Sequence, residues 1–183
     1  MDRNRLSKKL QEALNTQMTK EASASQFYLS QAAWASSKGY SGIAHFLFKH
    51  ANEERNHMMK ILEYILERGA KVKVEAIPSP AEDPANIQSC FEQIFEHEVD
   101  NTKGIYKLVE MSFDEEDWAT WHFMQWFVKE QTEEETLALN LLDKIKISGG
   151  ATASGDALYN IDKDLQTKSD DVALAEDKTA LNP

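Results

Sequence analysis

Along four stretches of the chain, apolar residues return every three or four positions, the period of a helix with one buried face. The first stripe runs Leu6, Leu10, Leu14, Gln17, Glu21, Ala24, Tyr28, and the second Leu47, Ala51, Glu54, Met58 with His57, Ile61, Ile65. The third runs Ile87, Phe91, Ile94, Glu98, Ile105, Leu108, and the fourth Phe127, Gln131, Glu134, Ala138, Leu141, Ile145. Glycine and proline fall between the stripes, at Gly39 and Gly42, at Gly69, at Pro78, Pro80 and Pro84, and at Gly149 and Gly150. The pattern predicts helices at about 7–38, 41–68, 86–113 and 115–147, an all-α bundle. Short turns at Gly39 and near Asp114 make each pair an antiparallel hairpin, with Asp114 capping the fourth helix and Glu115, Glu116 and Asp117 in its first turn. Residues 70–85 are long enough to cross the length of the bundle. A shorter helix is expected at 157–165, closing a domain over 1–165, and a polar acidic tail, mobile or docked on a neighbour, over 166–183. So short a helix needs a surface to lean on, here expected at a symmetry axis of a closed assembly.

Every stripe is interrupted by a glutamate: Glu21, Glu54, Glu98 and Glu134. Glu21 lies 18 residues before Gly39 and Glu54 lies 15 after it, a mismatch of roughly 4.5 Å along the axis. Glu98 lies 17 before Glu115 and Glu134 lies 19 after, a mismatch of roughly 3 Å. Within each hairpin the acids are level, while the relative slide of the two hairpins is left to the crossover. Several buried carboxylates repel one another, so such a layer needs raised pKa values or multivalent cations, and cations are the simpler solution. Glu54-x-x-His57 puts a carboxylate and an imidazole on one helical face within reach of one ion. Carboxylates with one nitrogen and no thiolate suit iron or manganese better than structural zinc. A lone Glu-x-x-His would be a weak signal; four interrupted stripes with two level pairs are a stronger one. Glu53, Glu130 and Glu133 sit one helical step beside these acids and are read either as additional ligands or as an exposed face. His45, His50, His97 and His122 are assigned no role.

Composition narrows the partners. The 183 residues carry 31 Asp+Glu against 20 Lys+Arg, a formal net charge of -11, which disfavours nucleic acid and anionic membranes and favours cations. A single cysteine, Cys90, excludes a disulfide framework and any site built from several Cys ligands, and it reads as a core filler. No stretch approaches a membrane span and the first residues lack the apolar region of a signal peptide, so a cytoplasmic location is expected.

The sequence resembles the non-haem bacterial-type ferritins, within the ferritin-like di-iron carboxylate superfamily, from about Leu6 to Leu165. The resemblance is carried by Gln17-Met-x-x-Glu21 with Tyr28, by His50-Ala-x-Glu53-Glu54-x-x-His57-Met58, and by His97-Glu98. It continues in Gln125-Trp126-Phe-Val-x-Glu130-Gln131-x-Glu133-Glu134 and Leu158-Tyr159-x-Ile161-Asp162-Lys163. It implies a ferritin-like up-down four-helix bundle with a long crossover between the second and third helices and a short fifth helix. By position it makes Glu21, Glu54 and His57 ligands of a first iron and Glu54 the bridge. Glu98 and Glu134 then hold a second iron, with Gln131 adjacent. Glu53, Glu130 and Glu133 correspond to a third iron site, with Glu134 shared. Tyr28 corresponds to a tyrosine that supplies an electron during oxygen reduction, with Trp126 a weaker candidate, although both could be plain core packing. Arg55 and Leu137 stand where haem-binding relatives have a methionine and a histidine, so haem is not expected. The segment beyond Thr167 has no counterpart in the family pattern.

The implied function is that of an iron-storage ferroxidase, which oxidises Fe(II) with O2 or peroxide and deposits Fe(III) inside a cage of twenty-four identical subunits. The alternatives are a di-iron carboxylate oxidase or peroxide scavenger without storage, and a structural cage protein with a dead site. Residues 114–117 could line a path inward for cations or simply start a well-capped helix.

Overall fold

The structure is a computed structural model that describes residues 3–80 and 82–167. Its first helix, α1 (Lys8–Ser37), starts at Ser7, whose hydroxyl oxygen accepts from the Leu10 amide at 3.0 Å. The chain reverses at Gly39, whose φ of +86° an L side chain rarely adopts, and returns as α2 (Ser41–Glu67). After the crossover, α3 (Ile87–Asp114) begins with an Asn86–Ser89 capping box, and α4 (Trp118–Ile147) follows a three-residue turn. A 3-10 turn at Gly150–Thr152 leads into α5 (Gly155–Thr167). No described helix is long and apolar enough to cross a membrane.

The four long helices bury their stripes in two apolar clusters. One gathers the end of α1, the start of α2, the start of α3 and the end of α4 around Ala35, Leu47, Phe91 and Ile145. The other gathers the opposite ends around Leu14, Ile61, Ile105 and Phe127. Ala70, where the crossover begins, lies in the second cluster and Ile87, where it ends, in the first, so the connection runs the length of the bundle. The helix order is therefore up, down, down, up, two antiparallel hairpins with α2 parallel to α3.

Two expectations are corrected. Asp114 does not cap the fourth helix, because α3 continues through it and ends with Glu116 in the left-handed region at φ +54°. There the Asp117 amide reaches the Ser112 carbonyl at 2.9 Å and the Glu116 amide reaches Phe113 at 3.0 Å. The cap is Asp117, which accepts from the Thr120 amide at 3.1 Å and is paired with Arg68 at 3.0 Å, and Glu115 and Glu116 lie in the turn.

The fifth helix packs against α2 of its own chain, and its bounds differ from those expected. It is longer than expected, reaching Thr167, so Gln166 belongs to it rather than to the tail; the rest of the expected tail, from residue 168, lies outside the described residues. Leu165 is buried in the first cluster, with Leu158 and Ile161 packed against it. Asp162 accepts from the Ile43 amide at 2.9 Å, capping α2 where Tyr40 makes no side-chain capping hydrogen bond. This docking requires glycine at 42, since a Cβ there would collide with the Asp162 carbonyl. Gly42→Ala is expected to lower the melting free energy by about 1–3 kcal/mol and to expose 155–167 to limited proteolysis, both read on the same preparation.

Candidate metal centre

Between the two apolar clusters lies a polar layer: Gln17 and Glu21 from α1, Glu54 and His57 from α2, Glu98 and Asn101 from α3, and Gln131 and Glu134 from α4, all buried. Hydrogen bonds across the hairpins set their common level. The Gln17 amide donates to Glu21 at 2.7 Å and to Asn101 at 2.6 Å, and Asn101 donates to the other Glu21 oxygen at 3.2 Å. Tyr28 donates from α1 to Glu98 Oε1 on α3 at 2.5 Å, and Gln131 donates from α4 to Glu98 Oε2 at 3.3 Å. The slide that the crossover left open in the sequence is thus settled with all four interrupting glutamates in one slab.

Donor atoms converge in three sets, each within 4.8 Å: Glu21, Glu54 and His57; Glu53, His57 and Glu130; and His50, Glu53 and Glu134. The first is the set expected around a first iron. Glu98 joins none of the three and is instead held by Tyr28 and Gln131, although it lies close enough to Glu54 and Glu134 to act on their proton affinity. Of the residues expected at a third site, Glu53 and Glu130 meet, and Glu130 is buried rather than exposed. Glu133 joins neither set and points an oxygen at Lys129, 3.3 Å away.

His50, given no role from the sequence, is buried and belongs to the third set. The available signal was its spacing, four residues before Glu54 and seven before His57 on one helical face. Asn101 was likewise passed over, although it lies three residues after Glu98 on the same face.

Burial dominates the electrostatics. It pushes the carboxyl groups of Glu54 and Glu134 well above the usual range, and the charge of Glu98 adds to it. Burial acts on Glu98 too, but His97 first, then the hydrogen bonds from Tyr28 and Gln131, overcome it and leave that carboxyl lowered. Of Glu54, Glu98 and Glu134, the negative charge sits most readily on Glu98. Burial, with Glu130 nearby, raises Glu53 to about 7, and burial keeps His50 and His57 neutral by lowering both. Burial, then the charges of Glu98, Glu134 and Glu54, raises the Tyr28 phenol, which stays protonated as a donor. Trp126 packs edge-on to His57 at 5.4 Å with Lys60 over its ring at 4.2 Å.

Three buried donor atoms of this layer, Glu54 Oε2, Glu53 Oε2 and His50 Nε2, have no hydrogen-bond partner. Buried polar atoms are normally satisfied, and lone-pair carriers left open among converging carboxylates and imidazoles fit cations. Carboxylate oxygens with imidazole nitrogen are a donor set suited to iron.

Comparison with known proteins agrees. Residues 11–148 match the model of the ferritin-like domain family. The chain is 37% identical over 158 residues to a bacterial non-heme ferritin of Campylobacter jejuni, covering 86% of this chain and 93% of the relative. It is 40% identical over 149 residues to a bacterial non-heme ferritin of Bacteroides fragilis, covering 80% and 92%. Its fold matches an open pore ferritin from the hyperthermophilic archaeon Archaeoglobus fulgidus with a TM-score of 0.86, at 37% identity, over 90% of this chain and 99% of that one. By its fold, its layer of buried carboxylates and these relatives of nearly its own length, the chain belongs to the ferritin-like domain family.

Proposed function

We propose that the protein oxidises Fe(II) at the buried layer and stores the Fe(III) product within a closed cage of twenty-four copies. The observation that carries this reading is the trio of unpartnered buried donor atoms in the middle of the bundle. Fe(II) is the substrate. Glu21, Glu54 and His57 hold the first ion, and Glu54 bridges to a second held by Glu98 and Glu134 with Gln131 beside it. Oxygen takes one electron from each Fe(II) and two protons, leaving as hydrogen peroxide, so two ions held together match a two-electron acceptor. The glutamates offset the charge that grows as Fe(II) becomes Fe(III), and Gln17 and Asn101 keep Glu21 aimed inward. Where the peroxide is instead retained and reduced to two waters, it takes two more protons and two more electrons, one from a third Fe(II) and one from Tyr28, whose phenolic proton passes to Glu98 Oε1, the atom it already donates to. The relatives are named non-heme ferritins, and Arg55 and Leu137 offer no haem ligand.

The test is aerobic loading of the purified protein with Fe(II), followed by measurement of particle mass and iron per chain. A large assembly holding far more iron than it has ligand positions is expected. A 20.8 kDa monomer would overturn the cage, and iron limited to two or three per chain would point to an oxidase without storage.

Glu130→Ala and Glu133→Ala are expected to change the ratio of Fe(II) oxidised to oxygen consumed, or to slow oxidation by about tenfold or less, without abolishing it. The effect should be larger for Glu130, which meets Glu53 and His57, than for Glu133, which faces Lys129. Stopped-flow oxidation with an oxygen electrode reads both quantities.

A further inference from the structure

We propose that His50, Glu53 and Glu134 form a further position for a divalent cation, with His50 Nε2 as its nitrogen ligand. The proposal rests on the reading of the buried layer as a cation site, and adds a ligand which the family resemblance does not assign.

The tautomer follows from geometry. His50 Nδ1 lies 3.0 Å from the Phe46 carbonyl, which can only accept, so the ring proton sits on Nδ1 and Nε2 carries a lone pair. A backbone carbonyl on one nitrogen and a free lone pair on the other is the usual arrangement of a metal-binding histidine. The ring is also held in place, tilted against Phe46 at 4.1 Å and Tyr28 at 5.5 Å, so little freedom remains to be lost on binding.

Nε2 is buried and has no hydrogen-bond partner. It faces Glu134 Oε2 at 3.7 Å, too far for a proton on the carboxyl to bridge them, and a Glu53 oxygen completes the triangle within 4.8 Å. Glu53 Oε2 is likewise buried without a partner. A cation held by these three side chains would satisfy His50 Nε2 and Glu53, which no protein donor satisfies.

The position is also connected. Glu53 belongs both to this set and to the set with His57 and Glu130, and His57 belongs to that set and to the one with Glu21 and Glu54. The three sets form an unbroken string of donors, and the mixed nitrogen and oxygen ligands suit Fe(II), Co(II) or Zn(II).

Zn(II), which undergoes no oxidation, tests the assignment apart from iron chemistry. Metal-free full-length protein and His50→Asn, whose amide can still donate to the Phe46 carbonyl, are titrated calorimetrically, and parent crystals are soaked in Zn(II). The parent is expected to show a class of Zn(II) binding that His50→Asn loses or binds at least tenfold more weakly, with the remaining classes intact. An anomalous peak is expected at about 2.0–2.2 Å from Nε2. Matching isotherms, or Zn(II)-soaked crystals without density at Nε2, overturn the proposal; the crystals give this answer even if His50→Asn does not fold. A parent that binds no Zn(II) in any class would overturn the reading of the whole layer as well, which separates the two failures.

Discussion

Glu54→Gln is expected to slow Fe(II) oxidation by at least about 100-fold while the bundle still folds. Glu54 stands in one set with Glu21 and His57, and its proton affinity feels Glu98 and Glu134, so it is the carboxylate common to both halves of the layer. The amide keeps its volume and removes the charge that would hold two ions together. Stopped-flow oxidation, with far-ultraviolet circular dichroism as the control for folding, checks this. A folded variant that oxidises Fe(II) at the parental rate would remove Glu54 from the centre.

Glu134→Leu should move stability and activity in opposite directions. Glu134 is 3% exposed among Glu98, Glu53, Glu130 and Glu133, and burial with these charges holds its carboxyl well above the usual range. Leucine removes the repulsion and adds apolar burial next to Ala138 and Leu141, a gain of about 1–3 kcal/mol for the metal-free protein if the shape packs. The same change takes away a carboxylate of the proposed second ion, so rapid oxidation should fall sharply. The two proteins are melted without metal at neutral pH and then mixed with Fe(II) and oxygen. A variant destabilised by several kcal/mol that oxidises at the parental rate would make Glu134 a structural residue.

The pH profile of the metal-free melts carries the sign of this effect. Glu54, Glu134 and Glu53 all titrate higher in the folded chain than in the unfolded one. Between the two values the folded state binds more protons, so their contribution is fully present below about 4.5 and is lost as pH rises through the folded values, about 7 for Glu53. The parent should therefore lose stability from acid toward neutral pH more steeply than Glu134→Leu.

The helices and most of the layer were legible because a helix of period 3.6 puts every third or fourth residue on one face, and that periodicity is written locally. Glu21, Glu54, Glu98 and Glu134 broke their stripes in plain view, and the spacing around Gly39 and Glu115 set their heights within each hairpin. The α3–α4 turn was misplaced because Asp114 resembles a helix cap, whereas the left-handed Glu116 and the Asp117–Arg68 pair depend on how the end of α2 approaches that turn. His50 was passed over because a histidine on a helix is ambiguous until the neighbouring rings and carboxylates are known.

The sequence by itself determined the number of long helices, their buried faces, the pairing of neighbours into hairpins and the presence of acids where apolar residues belong. Only the tertiary structure decided the slide of one hairpin against the other, read in Tyr28 meeting Glu98 and Gln17 meeting Asn101. It also decided the docking of α5 on Gly42 and the aim of His50 Nε2 at Glu134. Periodicity and turns act over a few residues, whereas these features depend on distances between segments tens of residues apart, which packing of the whole bundle sets.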